Sequence, residues 1–158
     1  MKAEHFSPDI QEFLLLLAHE AVKYLIIGGE AVIYYGHARL TADVDLYYER
    51  SPENALRLFS ALQKFWGGTI PEIARPNELL PEGHIVQFGV PPNRLDLINS
   101  IDGVDFPSAW ESRVNEKMVV KNQQIEIYII GLKHLIQNKR ILSRHRDLED
   151  LEFLLKIE

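Results

Sequence analysis

An α+β fold, with a mixed β-sheet flanked by helices, is what the sequence predicts, and three observations predict it. Helical patterns open and close the chain. Short apolar runs of strand length fill its middle, bounded by Gly, Pro and Asn. Between these lies the order strand, Gly-Gly, helix, strand, helix, which is α/β-like before several strands follow one another. At 158 residues, with no repeat and no low-complexity linker, residues 1–158 are expected to form a single domain.

Each element has its own local reason. In "SPDIQEFLLLLAHEAVKY", Ser7 is an N-cap residue, Pro8 suits the first helical position, Asp9 favours the helix dipole, and apolar residues recur at helical spacing. "YLIIGG" is a buried strand ended by glycines, and "EAVIYYGH" is a helix that starts at that turn and stops near Gly36. "ADVDLYYE" alternates acid and apolar residues, so its two faces differ. "SPENALRLFSALQKFWGG" carries a helix start at Ser51-Pro52 and a stop at Gly67-Gly68. "HIVQFGV" and "RLDLINSI", split by "PPN", predict a hairpin. Two further strands, "KMVV" and "IEIYII", are joined through "KNQQ", and the tail gives two helices that break near Ser143.

Composition narrows the chemistry. Cysteine is absent, so thiolate metal sites and disulfides are excluded, and any metal must sit on oxygen or imidazole. None of the six histidines has a zinc spacing. The formal charge of −6 argues against a general nucleic-acid coat, whose affinity comes from Lys and Arg on phosphates. The apolar patch after the N-terminus is interrupted by His19, Glu20 and Lys23 before it could span a bilayer, so no membrane segment and a cytoplasmic location are expected.

The chemistry concentrates in "GGEAVIYYGHARLTADVDLYYE", Gly28 to Glu49. Residues two apart on a strand share a face, so Asp43 and Asp45 point the same way, about 7 Å apart along the strand, while Val44 and Leu46 point into the core. Asp96 has the same grammar between Leu95 and Leu97. If its strand lies beside that of Asp43, three carboxylates converge. Such a set suits Mg²⁺ and can hold two ions. Gly28 and Gly29 form a turn without side chains at a helix start, where backbone N–H groups can face phosphate oxygens.

This series resembles the nucleotidyltransferase superfamily with the DNA polymerase β-like catalytic fold: an apolar strand, Gly-Gly, a helix, Asp-x-Asp on the next strand and a third Asp on a later one. Thirteen residues separate Gly29 from Asp43. The run is most similar to the small prokaryotic branch that includes abortive-infection and toxin–antitoxin nucleotidyltransferases, and the likeness covers about Tyr24 to Ser100. It implies that Gly28 and Gly29 hold nucleotide phosphates, that Asp43 and Asp45 bind both metals, and that Asp96 is the third carboxylate, helping to activate an acceptor hydroxyl. The implied activity is transfer of a nucleoside monophosphate from an NTP such as ATP, with two Mg²⁺ ions that Mn²⁺ can replace. In the tail, "LIQNKRILSRHRDLEDLEFL" resembles the branch's C-terminal helices, which carries over Lys139 and Asp147. The acceptor stays open between tRNA, protein and small molecule, and a homodimer or a cognate partner protein is an expected partner. An alternative from another class is a fold kept as a binding module of a toxin–antitoxin or defence pair.

The remaining candidates have bland readings beside the functional ones. Arg39 and Thr41, between helix and strand, are placed to contact phosphate or to face solvent. Arg94, two residues before Asp96, is a triphosphate contact or an ion-pair partner. Glu30 is a first-turn acid favoured by the dipole, and His37 adjoins the site. Lys133, Lys139, Arg140, Arg144 and Arg146 form a basic cluster, offset by Glu149, Asp150 and Glu152 as a solvated face, from which Lys139 can reach the nucleotide. Leu148, Leu151, Leu154 and Leu155 are expected to be core.

Overall fold

The computed structural model describes residues 1–158. Its centre is one mixed six-stranded sheet in the order β3-β4-β2-β1-β6-β5, from strands β1 (Tyr24–Ile27), β2 (Asp43–Tyr48), β3 (Ile85–Phe88), β4 (Arg94–Ile98), β5 (Val114–Val120) and β6 (Gln123–Ile129). β1 runs antiparallel to β2 and parallel to β6. β2 runs parallel to β4, and the hairpins β3–β4 and β5–β6 close the two edges. The helices are α1 (Pro8–His19), α2 (Gly28–Tyr34), α3 (Pro52–Trp66), α4 (Phe106–Glu111), α5 (Leu132–Leu142) and α6 (His145–Ile157). The α+β class is thus as expected, and no helix is long and apolar enough to cross a membrane.

The expected caps form. Ser7 accepts from Ile10 N–H, and Ser51 accepts from Asn54 N–H at 3.2 Å, each with Pro in the first turn. α1 ends sooner than its apolar pattern, at His19. Val22 N–H bonds back to Leu17 C=O and Ala21 N–H to Ala18 C=O, with Ala21 at φ 54°. This is a Schellman closure made on alanine, so the sequence carries no glycine to announce it. The β5–β6 turn is likewise shorter than "KNQQ". Lys121 and Asn122, both at positive φ, make the two-residue turn, and Gln123 already belongs to β6. α4, capped by the Asp105 carboxylate on Ser108 N–H, has no counterpart in the sequence pattern because at six residues it is too short to show a helical period.

Two faces of the sheet do different work. Val44, Leu46, Leu95 and Leu97 are buried on one face, and the groove that Leu95 lines is completed by Ile10 and Phe13 of α1 and Phe65 of α3. Fully burying side chains of this size is worth about 1.5–3 kcal/mol each, which fixes the register of β2 against β4. A one-residue slip would turn every acid inward. The other face, beside α5 and α6, is therefore obliged to carry Asp43, Asp45 and Asp96.

One expectation about the tail is corrected. Leu154 is fully buried and Leu151 half-buried, but Leu148 and Leu155 are 53% and 42% exposed, so the four leucines are not one core stripe. The stripe that turns inward is Asp147, Asp150, Leu151 and Leu154, at helical spacing, and it puts two acids among the buried residues.

Candidate active site

Parallel pairing of β2 with β4 sets Asp45 directly against Asp96 and Asp43 against Arg94. The three carboxylates each offer an oxygen, and those oxygens lie within 4.8 Å of one another. They line a cleft of about 420 Å³ whose other walls include Gly28, Arg94, Asn138, Lys139 and Arg144. A larger cleft, about 530 Å³, adjoins it across Ser100 and Ile101, but its acids, Glu49, Glu82 and Asp105, form no ligand-spaced set.

Close packing of like charge leaves its mark on the acids. Burial, then the charges of Asp96 and Asp43, push the Asp45 carboxyl up to about 7. Burial also raises Asp96, opposed by the Arg94 guanidinium. Asp43 Oδ1 and Asp96 Oδ1 are buried without a hydrogen bond. An oxygen-only set with unspent lone pairs and mutual repulsion fits a hard divalent cation.

Gly28 is dictated by two constraints at once. Its φ of 62° lies in the left-handed region, and a Cβ there would run into the Asp45 carboxylate. At Gly29 a Cβ would stand 2.6 Å from Thr41 Oγ1 and 3.0 Å from an Arg39 guanidinium nitrogen. The two glycines open α2 rather than precede it, Ile27 being the N-cap. The expected strand, glycine bend, helix and acid pair are therefore in contact.

Residues 6–154 match the family described as a nucleotidyltransferase of unknown function (DUF6036). The chain belongs to this family. No curated protein matches it. The family's description bears out the nucleotidyltransferase superfamily as the one the sequence resembles.

Other sequence candidates fall around the acids in the DUF6036 structure as follows. Thr41 Oγ1 donates to the Asp43 carbonyl at 3.2 Å. Arg94 takes the ion-pair role, donating to Asp43 Oδ2 at 2.7 Å with its Nε 3.3 Å from Asp96 Oδ1. Lys139 reaches the cleft wall but is 3% exposed, its ammonium held 2.9 Å from Asp147 and 3.0 Å from Asp150. Arg39 Nε lies 3.1 Å from Asp150, and Arg144 Nε 2.6 Å from Asp147. Burial by itself would raise Asp147, yet hydrogen bonds from Arg144 and Lys139 outweigh it and hold the carboxyl below its usual range.

Two readings are corrected here. Asp150 is not part of a solvated offset to the basic cluster: it is 1% exposed and joins Lys139 of α5 to Arg39 beside Gly29. Glu30 is not merely a dipole-favoured acid, since it is buried and paired with His5. His37 packs against Phe153 with tilted rings, centroids 4.7 Å apart, and stands 4.0 Å from Asp150. Asp150 and Arg144 are the site residues that the sequence reading left unassigned. The signal for Asp150 was present in its i, i+3 spacing from Asp147 and its place one residue before half-buried Leu151.

Proposed function

We propose that the chain transfers a nucleoside monophosphate from an NTP to an acceptor hydroxyl and releases pyrophosphate, as a single domain working with Mg²⁺. The observation that carries this reading is the convergence of Asp43, Asp45 and Asp96 beside the Gly28 bend. The same three side chains would hold the cation. Bound there, divalent ions neutralise the carboxylates and offset charge on the transferring phosphoryl group and the leaving pyrophosphate.

The chain's own groups supply the rest. Gly28 borders the acid cleft, and the absence of a side chain there lets the Asp45 carboxylate pack against the helix start, as Thr41 and Arg39 do at Gly29. Arg94 and Arg144 line the cleft with the acids and are placed to meet phosphate oxygens, with Lys139 in the wall behind them, held by Asp147 and Asp150. Asp96, more basic than an ordinary carboxylate because it is buried, accepts the proton of the acceptor hydroxyl. The acceptor oxygen bonds to the α-phosphorus as the bond to the β-bridging oxygen breaks, and that electron pair leaves with pyrophosphate.

Incubation with each α-labelled NTP, Mg²⁺ or Mn²⁺ and lysate from the source cell tests this. Label should appear on one acceptor class and be lost in Asp43→Asn. Label transfer by Asp43→Asn equal to wild type would refute the assignment.

A further inference from the structure

Arg94 is the one cation that touches the acid cluster directly. Register places it opposite Asp43, and the strand repeat places it on the same face as Asp96, two residues on. Its guanidinium therefore meets both, at 2.7 Å and 3.3 Å, while the side chain remains 32% exposed at the cleft. No basic side chain forms an ion pair with Asp45, the third acid. A guanidinium carries a single positive charge spread over a plane, so it offsets one of three negative charges and leaves the rest. A divalent ion held by all three acids would lie a few ångströms from the guanidinium that already faces Asp43 and Asp96, and the two cations would repel each other.

We propose that Arg94 is a built-in counter-cation: it occupies the Asp43–Asp96 side of the cluster when no divalent ion is bound, and its charge competes with an ion shared by all three acids. The inference rests on the reading of the cluster as a divalent-cation site. Its consequence is a site tuned to hold free metal weakly. A triphosphate, for which a planar guanidinium is a suitable bidentate donor, gives Arg94 somewhere to go and so couples nucleotide entry to metal loading.

Nucleotide-free Mn²⁺ titration, read by loss of the free-ion EPR signal, tests the proposal on wild type, Arg94→Gln and Arg94→Lys. Arg94→Gln should bind Mn²⁺ about 10-fold tighter or more, because a competing charge has gone, whereas Arg94→Lys keeps the charge and should stay near wild type. Equal or weaker binding by Arg94→Gln, with wild-type binding measurable, overturns the counter-cation. No Mn²⁺ binding by either protein at millimolar concentrations overturns the cation-site reading beneath it. A second measurement needs only the native side chain: the Arg94 Nε–H NMR resonance should move as Mg²⁺ is added. A resonance that stays fixed while Mg²⁺ binds also overturns the proposal.

Discussion

Asp45→Asn should stabilise the metal-free protein, and by an amount that depends on pH. The Asp45 carboxyl lies at about 7 against an ordinary 3.8, about three units higher. At about 1.36 kcal/mol per unit, ionising it in the folded state costs roughly 4 kcal/mol more than in the unfolded chain. Because the folded value is the higher one, the folded state binds the extra proton between pH 4 and pH 7. Wild-type stability therefore falls by about 1.4 kcal/mol per pH unit across that window and levels off above it. Asparagine does not titrate, so the gap between the two proteins should be near zero at pH 4 and open to about 2–4 kcal/mol by pH 8, the lower figure allowing for an amide that finds no new partner. For a chain of this length that is roughly 5–15 °C in Tm. Thermal melts in EDTA from pH 4 to pH 8 check it, and adding Mg²⁺ should raise the wild type while leaving the variant nearly unmoved. An asparagine variant that melts below wild type at pH 8 in EDTA, or with the same offset at pH 4, would refute the reasoning.

Gly28→Ala should lose nucleotide turnover and about 1–3 kcal/mol of stability, since alanine is strained at φ 62° and its methyl meets Asp45; urea unfolding and an NTP assay read both. Lys139→Met should cost about 3–5 kcal/mol, because Asp147 and Asp150 would be left buried without their shared ammonium, and a fully folded variant with unchanged urea midpoint would contradict this. Asp147 has a lowered carboxyl, so the stability it lends is present above about pH 4 and disappears as pH falls through its folded value. The acid-unfolding curve of Asp147→Asn should accordingly be flatter than that of wild type. Leu148→Lys, at an exposed position of α6, should change the melting temperature little, within about 0.5 kcal/mol.

The local sequence determined the elements and much of the site. Ser7-Pro8 and Ser51-Pro52 are capped starts, the acid–apolar alternation in "ADVDLYY" is a two-faced strand, and Gly28 stands where the strand turns into a helix; each of these follows from a few adjacent residues. Their physical causes act within one turn or one pleat, so they were legible without the fold. Early closure of α1 was not, because alanine rather than glycine took the left-handed position.

What only the tertiary structure decided is which distant residues share a charge. The pairing of β2 with β4 puts Asp96 against Asp45 and hands Arg94 to Asp43, and no spacing along the chain states which strand will be the neighbour. The ionic core of Lys139, Asp147 and Asp150 is similar: in sequence these are ordinary helix-surface charges, and they become interior ones because α6 turns that stripe onto α5 and the loop carrying Arg39. Apolar periodicity reports burial only when the buried residues are apolar. A buried charge is retained by partners from other elements, and those partners are chosen by packing.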